Sequence, residues 1–158
     1  MNKIVLSALS LITGVSAGSI ATSKVCEKNR KKTQQMSDKH LRLFLMMNQW
    51  VRKKQKGKNM AEYLLKEGYE NVAVYGMSYA GETLLEELKD SEINVKYGID
   101  QNADNIYATI EMVRPDDDLE NIDCIIVTSV SFYEQIKATL EKKISCPIIS
   151  LEDILDEM

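Results

Sequence analysis

The chain has 158 residues, 44% hydrophobic and 28% charged, which suits one compact domain with an appendage and excludes a wholly disordered chain. Its formal net charge of −4 hides a division: residues 1–58 hold 13 basic and 2 acidic side chains, whereas residues 59–158 hold 7 and 22. The folding part is the acidic part, and acidic surface repels nucleic acid, so a nucleic-acid partner is excluded.

Residues 4–23 (IVLSALSLITGVSAGSIATS) carry no charge. At ~1.5 Å per residue the run approaches the ~30 Å of a bilayer core. Only Lys3 precedes it, whereas Lys24, Lys28, Arg30, Lys31 and Lys32 follow it. Positive charge stays inside, so the expectation is a single-pass anchor in the inner (cytoplasmic) membrane with the C-terminal domain cytoplasmic. Two other readings stand beside it. One, a signal peptide cleaved near Val15-Ser16-Ala17, would need the opposite charge bias, and the other is a merely peripheral helix. Gly14, Ala17, Gly18 and Ala21 fall at helical spacing and offer a face on which two copies can pack as a homodimer.

An amphipathic helix is predicted next, within residues 37–58. Ser37 serves as its N-cap, and Asp38 lies in its first turn. Leu41, Phe44, Leu45 and Val51 form its apolar stripe, widened by Leu43, Met46, Met47 and Trp50. Arg52, Lys53, Lys54, Lys56 and Lys58 close it with positive charge. Such a face can lie on a membrane, on the globular domain or on a second copy. His40 has no partner in the sequence pattern and reads as a solvated helix residue.

From residue 59 the pattern alternates. Asn59 and Glu62 stand in capping-box spacing for a helix over 60–67 that Gly68 ends. Strands are predicted over 71–75 (NVAVY), 95–99 (VKYGI), 109–113, 124–128 (CIIVT) and 147–149. Helices are predicted over 80–89, 115–119, 132–142 and after Ser150, which with Asp153 caps the last one. Apolar strands alternating with helices demand a parallel sheet covered on both faces, so the fold class is α/β and Rossmann-like. Residues 1–36 are thus read as anchor and linker, 37–58 as the amphipathic helix and 59–158 as the Rossmann-like domain. Cys26, Cys124 and Cys146 are too few and too scattered for a disulfide framework or a metal site. Cys124 and Cys146 sit in apolar runs and read as buried thiols.

Ligands of such sheets bind at the carboxyl ends of the strands. There the loop Gly76-Met77-Ser78-Tyr79-Ala80-Gly81 joins the first strand to its helix, the context a dinucleotide-binding turn requires. Gly76 permits the turn, Gly81 lets helix and strand approach, and the helix N-terminus offers N–H groups to a phosphate. Asp100 ends the second strand, where an acid holds a ribose hydroxyl. Ser78 stands where the pattern has its second glycine, and its Cβ crowds a pyrophosphate. NAD or a nucleotide-sugar is the candidate ligand, against a fold whose loop only turns the chain. A second pattern, Tyr133 with Lys137, has the Y-x-x-x-K spacing of dehydrogenases and epimerases, whose lysine makes the tyrosine a base. Residues at that spacing also recur by chance on amphipathic helices, so no catalytic residue is assigned.

The run LFLMMNQWVRKKQKGKNMAEYLLKEGYENVAVYGMSYAGETLLEELKDSEINVKYGID, with the later DCIIVTSV and CPIISLEDIL, resembles Rossmann-like domains of bacterial capsular and exopolysaccharide biosynthesis proteins. It is similar to glycosyltransferase tails and to the N-terminal domains of sugar acyltransferases, over residues 43–155. The resemblance implies a nucleotide-sugar or related phosphate ligand at Gly76, Ser78, Gly81 and Asp100. It also implies polysaccharide-assembly proteins as partners.

Overall fold

A computed structural model describes the backbone of residues 2–158 and the side chains of residues 25–158. The chain divides into two compact units, residues 1–41 and 42–158. Helix α1 runs over Asn2–Gln55, so residues 42–55 of it belong to the second unit. Ser37 is therefore not an N-cap; it lies inside α1. Residues 24–55 contain neither glycine nor proline and are rich in Lys, Arg, Gln, Leu and Met, so nothing stops the helix there. A Glu27–Lys31 ion pair at 2.8 Å and a Gln34–Asp38 bond at 2.9 Å add support one turn apart. The anchor expected over residues 4–23 lies outside the residues whose side chains are described. Among those that are, no helix is long and apolar enough to cross a membrane.

Gly57, at φ +74°, ends α1: its N–H reaches the Lys54 carbonyl and Lys58 N–H reaches Lys53. Helix α2 (Met60–Lys66) ends the same way, with Gly68 at φ +84° bonding Leu65 and Tyr69 bonding Leu64. Both are left-handed caps that satisfy terminal carbonyls. Asn59 opens α2 by accepting from Ala61 N–H at 3.0 Å.

The strands follow as β1 (Asn71–Tyr75), β2 (Asn94–Ile99), β3 (Met112–Val113), β4 (Cys124–Val127) and β5 (Ile148–Ser150). They form one sheet of order β3-β2-β1-β4-β5, with each neighbouring pair parallel. Helices α3 (Tyr79–Leu88), α4 (Tyr133–Leu140) and α5 (Leu151–Glu157) complete the unit. Residues alternate between two cores, as a pleated sheet dictates. Val72, Val74, Cys124 and Ile126 face one core, filled by Met46, Trp50, Leu64, Leu84, Leu88 and Ile154. Ala73, Tyr75, Ile125 and Val127 face the other, closed by Leu140. The sheet is thus covered on both faces, the α/β arrangement that the strand pattern requires.

Two expectations fail in the β2–β4 connection. The third strand keeps only two of its five expected residues, and residues 115–119 form a turn instead of a helix. Asp117 closes this turn: its carboxylate accepts from Arg114 N–H at 2.7 Å while its own N–H reaches the Arg114 carbonyl at 3.1 Å. A short acid that bonds a neighbouring backbone N–H can close a single turn with no helix following it. Cys124 is buried, and burial pushes its thiol up to about 12, whereas Cys146 is only partly buried.

Asp123 ties the start of β4 to that of β1, accepting from Asn71 N–H at 2.7 Å and Glu70 N–H at 3.0 Å. Those two bonds, the Asn71 one first, hold its carboxyl below the ordinary value. A carboxyl whose folded value is depressed stabilises the fold above its unfolded pKa of ~3.9 and loses that contribution as pH falls through the folded value. Wild type and Asp123→Asn should therefore differ in urea midpoint by a constant amount near neutral pH. That difference should shrink below about pH 4. A difference undiminished in acid would mean that the charge is not what stabilises this corner.

Candidate functional site at the carboxyl edge

The connections after β1 and β4 leave the sheet in opposite directions, to α3 on one face and α4 on the other. Strand order thus reverses between β1 and β4, and the carboxyl ends of the strands at such a switch point are where ligands of these sheets bind. Gly76 sits there at φ +97°, a conformation that L side chains rarely adopt. Its N–H bonds the Ile99 carbonyl at 2.9 Å, and its carbonyl accepts from Thr128 Oγ1 at 2.6 Å. A Cβ on Gly76 would meet that hydroxyl oxygen at 2.9 Å. Gly76 therefore joins the ends of three strands.

Helix α3 begins immediately afterwards. Ser78 is its N-cap in extended conformation; its carbonyl accepts from Glu82 N–H at 2.9 Å, but its side chain caps nothing. Ser78 is exposed, with no hydrogen bond from its hydroxyl among the described residues. Gly81 faces the Gly76 carbonyl so closely that a Cβ would lie 2.3 Å from the oxygen. The two glycines of the loop are both needed, one for its dihedral angle and one for its lack of a side chain.

Asp100 turns toward this loop. Its Oδ2 accepts from Met77 N–H at 3.1 Å and its Oδ1 from Asn102 N–H at 2.9 Å. A carboxylate has about four acceptor positions, so lone pairs remain for a ligand hydroxyl. Gly76, Ser78, Gly81 and Asp100 are thus brought together at one edge of the sheet.

The pattern did not single out Thr128 or Ser129. Thr128 is buried, and Ser129 lies within 4 Å of where a Gly76 Cβ would stand. The hydroxyl-rich TSVS following an apolar strand was the available signal. Tyr79, Tyr107 and Phe132 expose ring surface on the segments that follow β1, β2 and β4. Residues 76–79, 100–111 and 128–132 contain no lysine or arginine. A phosphate here would be met by main-chain N–H groups and hydroxyls, not by side-chain cations.

Tyr133 and Lys137 share a face of α4, with the ammonium 5.6 Å from the ring centroid. The Tyr133 hydroxyl donates to the Ile148 carbonyl at 2.9 Å, which commits it to holding α4 against β5. Among the described residues no group of His, Cys, Asp and Glu is arranged to hold a metal.

The unit is a Rossmann-like α/β domain by strand order and crossovers. A family model described as C2185-like, N-terminal, matches residues 68–148, from the glycine that ends α2 to the first residue of β5, and the chain belongs to that family. No curated protein and no solved structure matches it.

Proposed function

We propose that the protein is a membrane-anchored Rossmann-like module that binds a nucleotide or nucleotide-sugar at the carboxyl edge of β1. The observation that carries this reading is the Asp100 carboxylate bonded to Met77 N–H beside the left-handed Gly76 turn and the start of α3. An acid at that place can accept from sugar hydroxyls while the helix start meets a phosphate. The exposed rings of Tyr79, Tyr107 and Phe132 are surfaces on which a base can stack. The anchor is the uncharged run of residues 4–23, inserted with the basic residues after it in the cytoplasm. A place in bacterial polysaccharide assembly rests on the sequence resemblance alone.

Calorimetric titration with NAD and with uridine-diphosphate sugars tests the binding. Asp100→Ala should weaken it at least tenfold, because a charged hydrogen bond is worth ~1.5–3 kcal/mol. Ser78→Gly should act in the opposite sense. Removing the Cβ lets a pyrophosphate approach the helix start, and a roughly tenfold gain corresponds to ~1.4 kcal/mol. If no ligand of the panel binds wild type or Ser78→Gly, the loop only turns the chain.

A further inference from the structure

Residues 42–55 of α1 are apolar on two opposite sides. One side is closed: Met46 and Trp50 are 1% and 2% exposed in the core of the α/β unit. The other is open: Phe44, Leu45 and Val51 are 63%, 56% and 53% exposed. Phe44 stands two residues from Met46, about 200° round the helix, and Val51 follows Phe44 after about two turns. The sequence pattern had read Phe44, Leu45 and Val51 together with Met46 and Trp50 as a single broad stripe. The open side also carries exposed Arg52, with exposed Lys56 just past the end of α1, and no acidic residue occurs from Lys39 to Ala61.

We infer that this open face lies on an anionic lipid surface. Phe44, Leu45 and Val51 supply the apolar contact, while Arg52 and Lys56 reach the headgroups. Charge decides the occupant. Residues 59–158 are acidic by 15 charges, and the closed side holds that body away from the open face. A bilayer of negative charge therefore attracts the open face and repels what lies behind it. A second copy on the same face would bring two sets of Arg52 and Lys56 together with no acid between them.

The inference depends neither on the nucleotide reading nor on the anchor. The test uses the full chain with Val51→Cys in a Cys26→Ser, Cys146→Ser background, spin-labelled and added to vesicles. One set is phosphatidylcholine alone; the other is equal parts phosphatidylcholine and phosphatidylglycerol. The expected result is a several-fold rise in the ratio of oxygen to nickel-chelate accessibility at the label, in the anionic vesicles only. A label at exposed Asp90 (Asp90→Cys) should stay in water in both. Double charge reversal at Arg52 and Lys56 should abolish the difference while the helical circular dichroism is kept. An N-terminal anchor acts equally in both vesicle sets, so it cannot produce the dependence on composition. Equal accessibility in both sets, or failure to float with anionic vesicles, overturns the inference. So does spin–spin broadening that disappears on dilution with unlabelled chain, which would identify a second copy as the occupant.

Discussion

Replacing Trp50 by alanine should cost ~3–5 kcal/mol, the range for removing a fully buried large aromatic side chain. A domain of this size has ~5–15 kcal/mol in total, so the variant would be close to the edge of folding. The ring is 2% exposed, and its indole N–H donates to Glu87 Oε2 at 2.6 Å. Glu87, its side chain 8% exposed, is the node of the contact. It also receives Lys54 Nζ from the last turn of α1 and the Met60 N–H that opens α2, both at 3.1 Å. One carboxylate on α3 therefore fixes the end of one helix and the start of the next, through charge-assisted bonds of the stronger kind.

The two contributions of Trp50 can be separated. Trp50→Phe keeps most of the packing and loses the donor, so it should cost only ~1–2 kcal/mol. At about 4 °C per kcal/mol, thermal unfolding should fall by ~12–20 °C for Trp50→Ala and by less than half of that for Trp50→Phe. A fall of only a degree or two for Trp50→Ala would show that the end of α1 is not part of the cooperative core.

Trp50 also shows where the sequence could and could not be read. A broad apolar face on an amphipathic helix was visible in its sequence. Which residues it would bury was not, because both Met46 with Trp50 and Phe44 with Val51 satisfy helical spacing. Only the partner surface selects between them, and that surface comes from Leu84, Leu88 and Ile154, far along the chain. Glu87 was equally hidden: on sequence it is one of several acids on a solvated helix. Apart from β3, the strands were legible because they are short runs rich in apolar residues between turn signals. The NVAVY run ends in the structure where the pattern ends it, at Tyr75. Residues 115–119 were misread because a proline followed by acids resembles a helix start, and the local Asp117 bond to Arg114 closes one turn that no helix continues. At the candidate site, Gly76 and Gly81 could be placed by spacing alone. The bond from Met77 N–H to Asp100 joins residues 23 apart, and only the parallel pairing of β1 with β2 brings them together.

Gly81→Ala is the sharper experiment, because two effects of opposite sign compete there. Glycine inside a helix is ~0.8–1.0 kcal/mol worse than alanine, so propensity alone forecasts a more stable protein. The contact forecasts the reverse. A Cβ would lie 2.3 Å from the Gly76 carbonyl oxygen and 3.2 Å from its carbon, and neither atom is the yielding end of a side chain. The carbonyl is held in place by the Thr128 hydroxyl, and the Gly76 N–H is bonded to Ile99. Relief therefore requires α3 to move off the sheet, which opens the core between Ala80, Leu84 and Val74. Overpacking of this kind costs ~1–3 kcal/mol where side chains can shift, and more where they cannot. The expected net effect is a loss of at least ~2–3 kcal/mol, or ~8–12 °C in thermal midpoint. Gly81→Val should fail to fold. Ligand binding should be lost in Gly81→Ala even at temperatures where it remains folded, since the start of α3 no longer lies against Gly76. A Gly81→Ala protein as stable as wild type would mean that α3 does not approach β1 as closely as this, and the phosphate-binding geometry proposed for the loop would fall with it.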